Sequence, residues 1–207
     1  RDLGQFIDSL NYTGKINIIA HDWGGAIACA WAGAHADRVN SLVMLNTGAF
    51  HLPQTKKFPL ALKIIRDSKI GAHLVLRHNI FSVGASLVGC KINKMNAELR
   101  KLYKLPYDSK ANRLATLKFV QDIPLDAKDA SFDLISQTEK NLKNLKDKPI
   151  LLAWGMKDFV FDKHFLNKWI DLFPHAKVLR YEDAGHYVLE DIGEPLCQEI
   201  FDFLKRQ

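Results

Sequence analysis

Lys15-Ile16-Asn17-Ile18-Ile19-Ala20-His21-Asp22-Trp23-Gly24-Gly25-Ala26 decides the fold of this chain. The stretch from Lys15 to Ala20 is short, β-branched and apolar, as a parallel strand covered on both faces must be. The spacing predicts that the strand stops at His21-Asp22-Trp23-Gly24-Gly25 and that an Ala-rich helix follows from Ala26 to about Ala36. A strand that turns straight into a helix brings two backbones almost into contact. Small residues are needed around such a turn, and the side chain at its tip is pushed out of the sheet. Asp22 is at the tip, in the pattern small-x-Asp-x-Gly.

Reading outward, the same rhythm recurs. An amphipathic helix over residues 2–10 precedes the strand. Leu42-Val43-Met44-Leu45 is a second buried strand, ending at Asn46-Thr47-Gly48. Pro149 to Trp154 is a third, ending at Gly155-Met156-Lys157-Asp158. A helix over about Lys163 to Phe173 follows, with Asp162 placed to cap it. Lys177 to Tyr181 is a fourth strand, ending at Asp183-Ala184-Gly185-His186, and Gly193, Glu194 and Pro195 open a final helix. Residues 51–146 differ: apolar residues recur at helical spacing and no strong strand appears. Gln54 to Val120 holds 14 Lys and Arg against 3 Asp and Glu, so the basic excess of the chain is concentrated there. The expected organisation is a split α/β core, residues 1–50 and 147–207, with a basic helical cap over residues 51–146.

The 207 residues carry a net charge of +6, with 47% apolar and 25% charged residues. Disorder, which needs low hydrophobicity and high net charge, is excluded. Twelve Gly, seven Pro and three Cys exclude collagen-like and disulfide-scaffold classes. Cys29, Cys90 and Cys197 are far apart in apolar settings and read as free thiols of a reducing, cytoplasmic compartment. The most apolar segment, Ile70 to Gly89, is interrupted by His73, Arg77, His78 and Asn79, too polar for a bilayer span. No secretory signal pattern is present. The chain opens at Arg1 without Met and runs directly into a helix. It is therefore expected to be part of a longer protein.

Asp22, Asp158 and His186 each follow the C-terminal end of a strand, the rim where open parallel sheets bind ligands. The order nucleophile, acid, histidine and the strand–turn–helix around Asp22 resemble the α/β-hydrolase superfamily. His21-Asp22-Trp23-Gly24-Gly25 matches the elbow of its haloalkane dehalogenase and epoxide hydrolase branch. Three further segments resemble the β-lactone decarboxylases of bacterial long-chain olefin biosynthesis. They are Pro106–Arg113 with Phe119–Leu125, Trp154–Phe159 with Phe161-Asp162, and Asp183–Asp191. Lys110 departs from that pattern, where an aromatic residue is expected. The resemblance implies an α/β-hydrolase core whose first strands precede Arg1. The strand Lys15–Ala20 would then lie mid-sheet with one neighbour absent, exposing an apolar parallel edge.

A carboxylate nucleophile attacking saturated carbon forms an alkyl ester, which suits carbon–halogen bonds, epoxides and strained lactones. The resemblance implies Asp22 as nucleophile, His186 and Asp158 as its partners, and a long-chain dialkyl β-lactone as substrate, released as alkene and CO2. Haloalkane or epoxide hydrolysis is the alternative, and a non-catalytic ligand receptor on the same scaffold is a third reading. The Trp23 backbone N–H and indole are oxyanion or halide donors. Tyr103 and Tyr107 are the only cap tyrosines able to protonate an epoxide oxygen, although Pro106 between them breaks a regular helix. Neither metal nor organic cofactor is implied. His21 reads as a hydrogen-bonded strand-end residue. His73 and His78 are expected to line or flank the cap, and Leu74, Val75, Leu76, Ile80 and Phe81 to pack inside it or line an acyl tunnel. The basic cap is a candidate docking face for an acidic partner enzyme or a membrane surface. Nucleic acid is not expected, because no recognition motif accompanies the charge.

Overall fold

The computed structural model describes residues 1–207. Four parallel strands form one sheet in the order β1 (Ile16–Asp22), β2 (Val39–Thr47), β3 (Ile150–Gly155) and β4 (Lys177–Tyr181). Helix α1 (Asp2–Ser9) leads into β1, and α2 (Trp23–Ala32) connects β1 to β2. Between β2 and β3 lie α3 (Leu60–Asp67), α4 (Lys69–His78), α5 (Ile80–Val88), α6 (Ala97–Lys104), α7 (Leu114–Gln121) and α8 (Phe132–Asn141). Helix α9 (Lys163–Leu172) precedes β4, and α10 (Val188–Ile192) and α11 (Glu194–Lys205) end the chain.

The sheet explains why β2 and β3 read as unbroken apolar runs. Successive strand residues point to opposite faces, and both faces are dry. Leu42, Met44, Leu152 and Trp154 pack on Cys29 and Ala32 of α2 and on Leu166 and Trp169 of α9. The alternate set, Val43, Leu45, Leu151 and Ala153, packs on Leu196, Ile200 and Phe203 of α11. Each large side chain buried this way contributes about 1.5–3 kcal/mol. Strand β1 is different. Ile16, Ile18 and Ala20 pack toward α2, but Ile19 on the opposite face is 52% exposed, and β1 forms an edge of the sheet.

Two boundaries depart from the expected ones. Strand β1 continues through Asp22, which pairs with Thr47 after a register shift, and α2 begins at once at Trp23 rather than Ala26. The turn has no residues of its own, because Asp22 alone absorbs the change of direction at φ 51° and ψ −131°. The short helix α10, which the apolar pattern did not signal, follows directly after the His186 loop.

The helices between β2 and β3 have a small core of Ile65, Val75, Leu117 and Val120. Arg113 holds three of their connections. Its guanidinium donates to the carbonyls of Tyr107 (2.8 Å), Asp108 (2.9 Å) and Leu76 (3.1 Å), joining the end of α4 to the turn before α7. Arg66 of α3 donates to the Ile123 carbonyl (3.1 Å) and pairs with Asp129. These ties fix the layer over the C-terminal ends of β1, β2 and β3.

Candidate active site

The turn at Asp22 is strained and held. A non-glycine residue at positive φ costs about 1–3 kcal/mol and persists only where its surroundings over-determine it. Here the Thr47 hydroxyl donates to the Asp22 carbonyl, and the Trp169 indole donates to the Thr47 carbonyl at 2.9 Å. Gly25 lets the helix approach: a Cβ there would lie 1.9 Å from Thr47 Oγ1. Gly24 is small for another reason. A Cβ there would meet nothing within 4 Å, and the residue lines a cavity. The result is an Asp22 side chain 42% exposed, pointing into that space.

His186 arrives from the loop after β4. Its Nδ1 lies 2.9 Å from Asp158 Oδ2 and its Nε2 lies 3.5 Å from Asp22 Oδ2. The three residues separated in sequence are thus brought into one line. Asp158 is 3% exposed, and its other oxygen accepts from the Val160 N–H at 2.8 Å. The close approach of the loops requires glycine: a Cβ on Gly155 would lie 2.0 Å from the Gly185 carbonyl.

The electrostatics follow from that line. Burial opposes a charge on His186, but the hydrogen bonds and charges of Asp158 and Asp22 outweigh it, and the imidazole is pushed up to about 10. Burial likewise acts to raise Asp22, but the hydrogen bond and charge of His186, helped by His21, hold it below the usual carboxylate range. His21 is held below the usual imidazole value, by burial first and by the His186 charge second. At neutral pH an imidazolium at His186 therefore faces the Asp22 carboxylate.

The cavity has a volume of about 650 Å³ and is mostly apolar, with Leu62, Ile65, Phe81, Val88, Phe119 and Phe161 among its walls. Asp22, His186 and His21 are at its polar end. Trp23 lines it, packed against Phe119 at 5.3 Å between ring centroids. Of the two cap tyrosines only Tyr107 faces it. Tyr103 does not: its hydroxyl donates to Glu190 at 2.7 Å and its ring backs onto Tyr187 at 5.1 Å, so its expected place in the site is corrected. The physical reason is the break at Pro106, which ends α6 and turns Tyr107 inward while leaving Tyr103 on the helix. His73 and His78 are exposed on α4, away from the cavity, whereas Ile80 and Phe81 line it. Val75 belongs to the small helical core. His21 is the hydrogen-bonded strand-end residue expected, its Nε2 2.9 Å from the His186 carbonyl.

Three contributors escaped the sequence reading. Tyr187 lines the cavity with its ring 5.2 Å from that of His186, and burial together with the Asp22 charge pushes its phenol up to about 12. Asn46 is fully buried at the end of β2. Its amide donates to Asp158 Oδ2 (3.0 Å) and the Gly155 carbonyl (3.0 Å), and its oxygen accepts from the Gly155 N–H (2.7 Å). Asp191 is 1% exposed and accepts from the N–H groups of Lys91, Ile92, Asn93 and Gly185. The residue before His186 is thereby stitched to the segment after α5. Asp158 and Asn46 shared one signal, a polar residue at a strand terminus, but nothing in it tied one to the other. No group of three His, Cys, Asp or Glu is assembled in the manner of a metal site.

Comparison with known proteins places the fold. The profile of the alpha/beta hydrolase fold matches residues 1–191. The chain is 46% identical over 203 residues to a cis-3-alkyl-4-alkyloxetan-2-one decarboxylase of Shewanella oneidensis, and 40% identical over 205 residues to one of Xanthomonas campestris. These matches cover 98% and 99% of this chain but 64% and 68% of those proteins. A haloalkane dehalogenase of Mycobacterium bovis is 26% identical over 204 residues, 98% of this chain and 68% of that one. Among solved structures, a haloalkane dehalogenase of Agrobacterium tumefaciens superposes with a TM-score of 0.84 at 19% identity, over 99% of this chain and 70% of that one. That likeness concerns the fold.

Proposed function

The chain belongs to the alpha/beta hydrolase fold family, and on that premise we propose that it opens a dialkyl β-lactone with Asp22 and releases an alkene and CO2. The observation that carries the chemistry is Asp22 at the floor of an apolar cavity, its carboxylate unprotonated and 3.5 Å from the His186 imidazole. The substrate class is supported by the similarity to the two oxetanone decarboxylases.

In the first step an Asp22 oxygen attacks the ring carbon bearing the lactone oxygen. The C–O ring bond breaks, an alkyl ester forms on Asp22, and the lactone carbonyl becomes a free carboxylate beta to that ester. In the second step the bond to the carboxylate carbon breaks and CO2 leaves. Its electron pair becomes the C=C bond while the ester C–O bond breaks, returning Asp22 as a carboxylate. No water or proton is consumed. His186, held as an imidazolium, stabilises the carboxylate that develops in each step, and the Trp23 N–H is a second donor. Asp158 and Asn46 keep the imidazole in place. The catalytic triad of this reading is Asp22, His186 and Asp158. The free thiols of Cys29, Cys90 and Cys197 accord with a cytoplasmic setting in olefin biosynthesis. No helix is long and apolar enough to cross a membrane.

A dehalogenase reading is favoured by one observation, the Trp23 side chain lining the cavity next to Asp22 as an N–H donor for halide. The epoxide reading loses support with Tyr103 outside the cavity. The test is incubation with a cis-dialkyl β-lactone, assaying alkene and CO2. Alkene and CO2 in equal amounts from the wild type, and none from Asp22→Ala, is the expected result. Halide release from a haloalkane without alkene from the lactone would replace this reading by the dehalogenase one.

A further inference from the structure

We propose that the α5–α6 face of the cap docks on an anionic bilayer surface, next to the part of the cavity wall that Val88 forms. Helix α5 has two exposures. Gly84, Ala85 and Val88 line the cavity, while Leu87 (52%) and Val88 (45%) are open to solvent, so Val88 belongs to both surfaces. Helix α6 packs beside α5. On α6 and the turn after it, Leu102 (56%) and Leu105 (61%) form one i, i+3 row, and Lys101 and Lys104 form the adjacent row. Ile92, 49% exposed, lies in the connection between the helices with Lys91 and Lys94.

Elsewhere on the cap Lys56, Lys63 and Arg66, at and before α3, are paired with Asp162, Asp67 and Asp129, whereas Lys57, Lys69, Arg77, Lys110 and Lys118 are not. Lys91, Lys94, Arg100, Lys101 and Lys104 make no ion pair, and Glu98 is the one acid among residues 87–105. Five cations without an ion pair and five exposed aliphatic side chains, spread over α5, α6 and their connection, give a mixed basic and apolar face of the kind that lies in a headgroup layer. Four of the five cations are lysine, and no exposed Trp is among them. Protein interface cores are depleted in Lys and enriched in Trp and Arg, so the composition favours lipid over an acidic protein. The usefulness of docking rests on the apolar substrate proposed above. The docking does not, because it can be measured with no substrate present.

The experiment is flotation of the purified protein with vesicles of phosphatidylcholine, with and without phosphatidylglycerol, at low and high salt. The protein is expected to float with the phosphatidylglycerol vesicles and not with phosphatidylcholine alone. Each lysine near an anionic leaflet is worth about a factor of five in partitioning, so Lys101→Glu with Lys104→Glu should weaken it more than about tenfold. Leu102→Ser with Leu105→Ser should weaken it as well, and near-molar salt should weaken it in the wild type. Lys101, Leu102 and Leu105 are exposed and Lys104 is half-buried, and circular dichroism checks that both variants keep their helices. No flotation at low salt would overturn the proposal. So would flotation that both variants retain, or that the leucine pair leaves unchanged. Polyglutamate binding as tight as vesicle binding, unaffected by the leucine pair, would assign the face to an acidic polypeptide instead.

Discussion

Asn46 Nδ2 and Asp158 Oδ2 lie 3.0 Å apart, joining the end of β2 to the end of β3 at the carboxylate that holds His186. Asn46 itself is in the left-handed region, at φ 31°, and makes three further bonds to the loop from Gly155 to Phe161. A fully buried amide thus aims a nearly buried carboxylate, and the geometry of the reacting line depends on a residue that touches none of the reacting atoms.

Asn46→Ala should therefore lower both stability and turnover. It removes a hydrogen bond to a buried charge and leaves the Gly155 N–H without its acceptor, a loss of about 2–3 kcal/mol. Urea unfolding measures the first effect. The second should appear as a lower kcat at nearly unchanged KM, because Asn46 does not line the cavity.

Stability should depend on pH with two edges. The folded value of His186, about 10, lies above its ordinary 6.5. Its contribution is full below about 6.5 and is lost as pH rises through about 10. The folded value of Asp22 lies below its ordinary 3.8, so its contribution is present above that value and is lost as pH falls through the depressed one. In Asp22→Asn one of the two anions facing His186 disappears, and the alkaline edge should move down by about one unit or more. Imidazole titration by NMR reads this directly, and an unmoved edge would mean that Asp22 does not act on His186.

Asp191→Asn should loosen the catalytic loop. The carboxylate accepts four backbone N–H groups, and an amide can present only one oxygen to them. About 2–3 kcal/mol of stability should be lost, with faster hydrogen exchange at Gly185 and at Lys91 to Asn93. Asp191→Glu should restore part of the turnover if the carboxylate charge is what holds the loop.

The two cap tyrosines should separate cleanly. Tyr103→Phe removes only the bond to Glu190, worth about 1–2 kcal/mol, and should leave alkene formation within about twofold of wild type, since Tyr103 lies outside the cavity and bonds to none of Asp22, His186 and Asp158. Tyr107→Ala opens the cavity wall and should raise KM for the lactone. Paired activity and melting measurements on both variants decide this.

Much of the arrangement was legible because local chemistry carried it. The apolar runs of β2 and β3 announce strands dry on both faces, Asp162 announces the start of α9, and Asp22 among small residues announces a strand–helix turn. Gly25 fits that reading by contact with Thr47, whereas Gly24 proves to be small where the cavity opens. What was not legible depended on partners far away in the chain. Nothing near Asn46 signals Asp158, which is 112 residues later. Nothing near Asp191 signals the backbone of Lys91. Tyr103 and Tyr107 look equivalent as letters, and the break at Pro106 sends only one of them inward.

The amino-acid sequence by itself determined the order of the four strands, the residues at the strand ends, and the basic, helical character of residues 51–146. Those features follow from side-chain period, turn chemistry and charge, which act over a few residues. Tertiary structure decided which of the strand-end groups meet, at what distance and in which protonation state. The proton on His186 is held by two carboxylates that only the folded sheet brings to either side of one buried ring, and Coulomb interactions between groups far apart in the chain exist only once the fold has closed the distance.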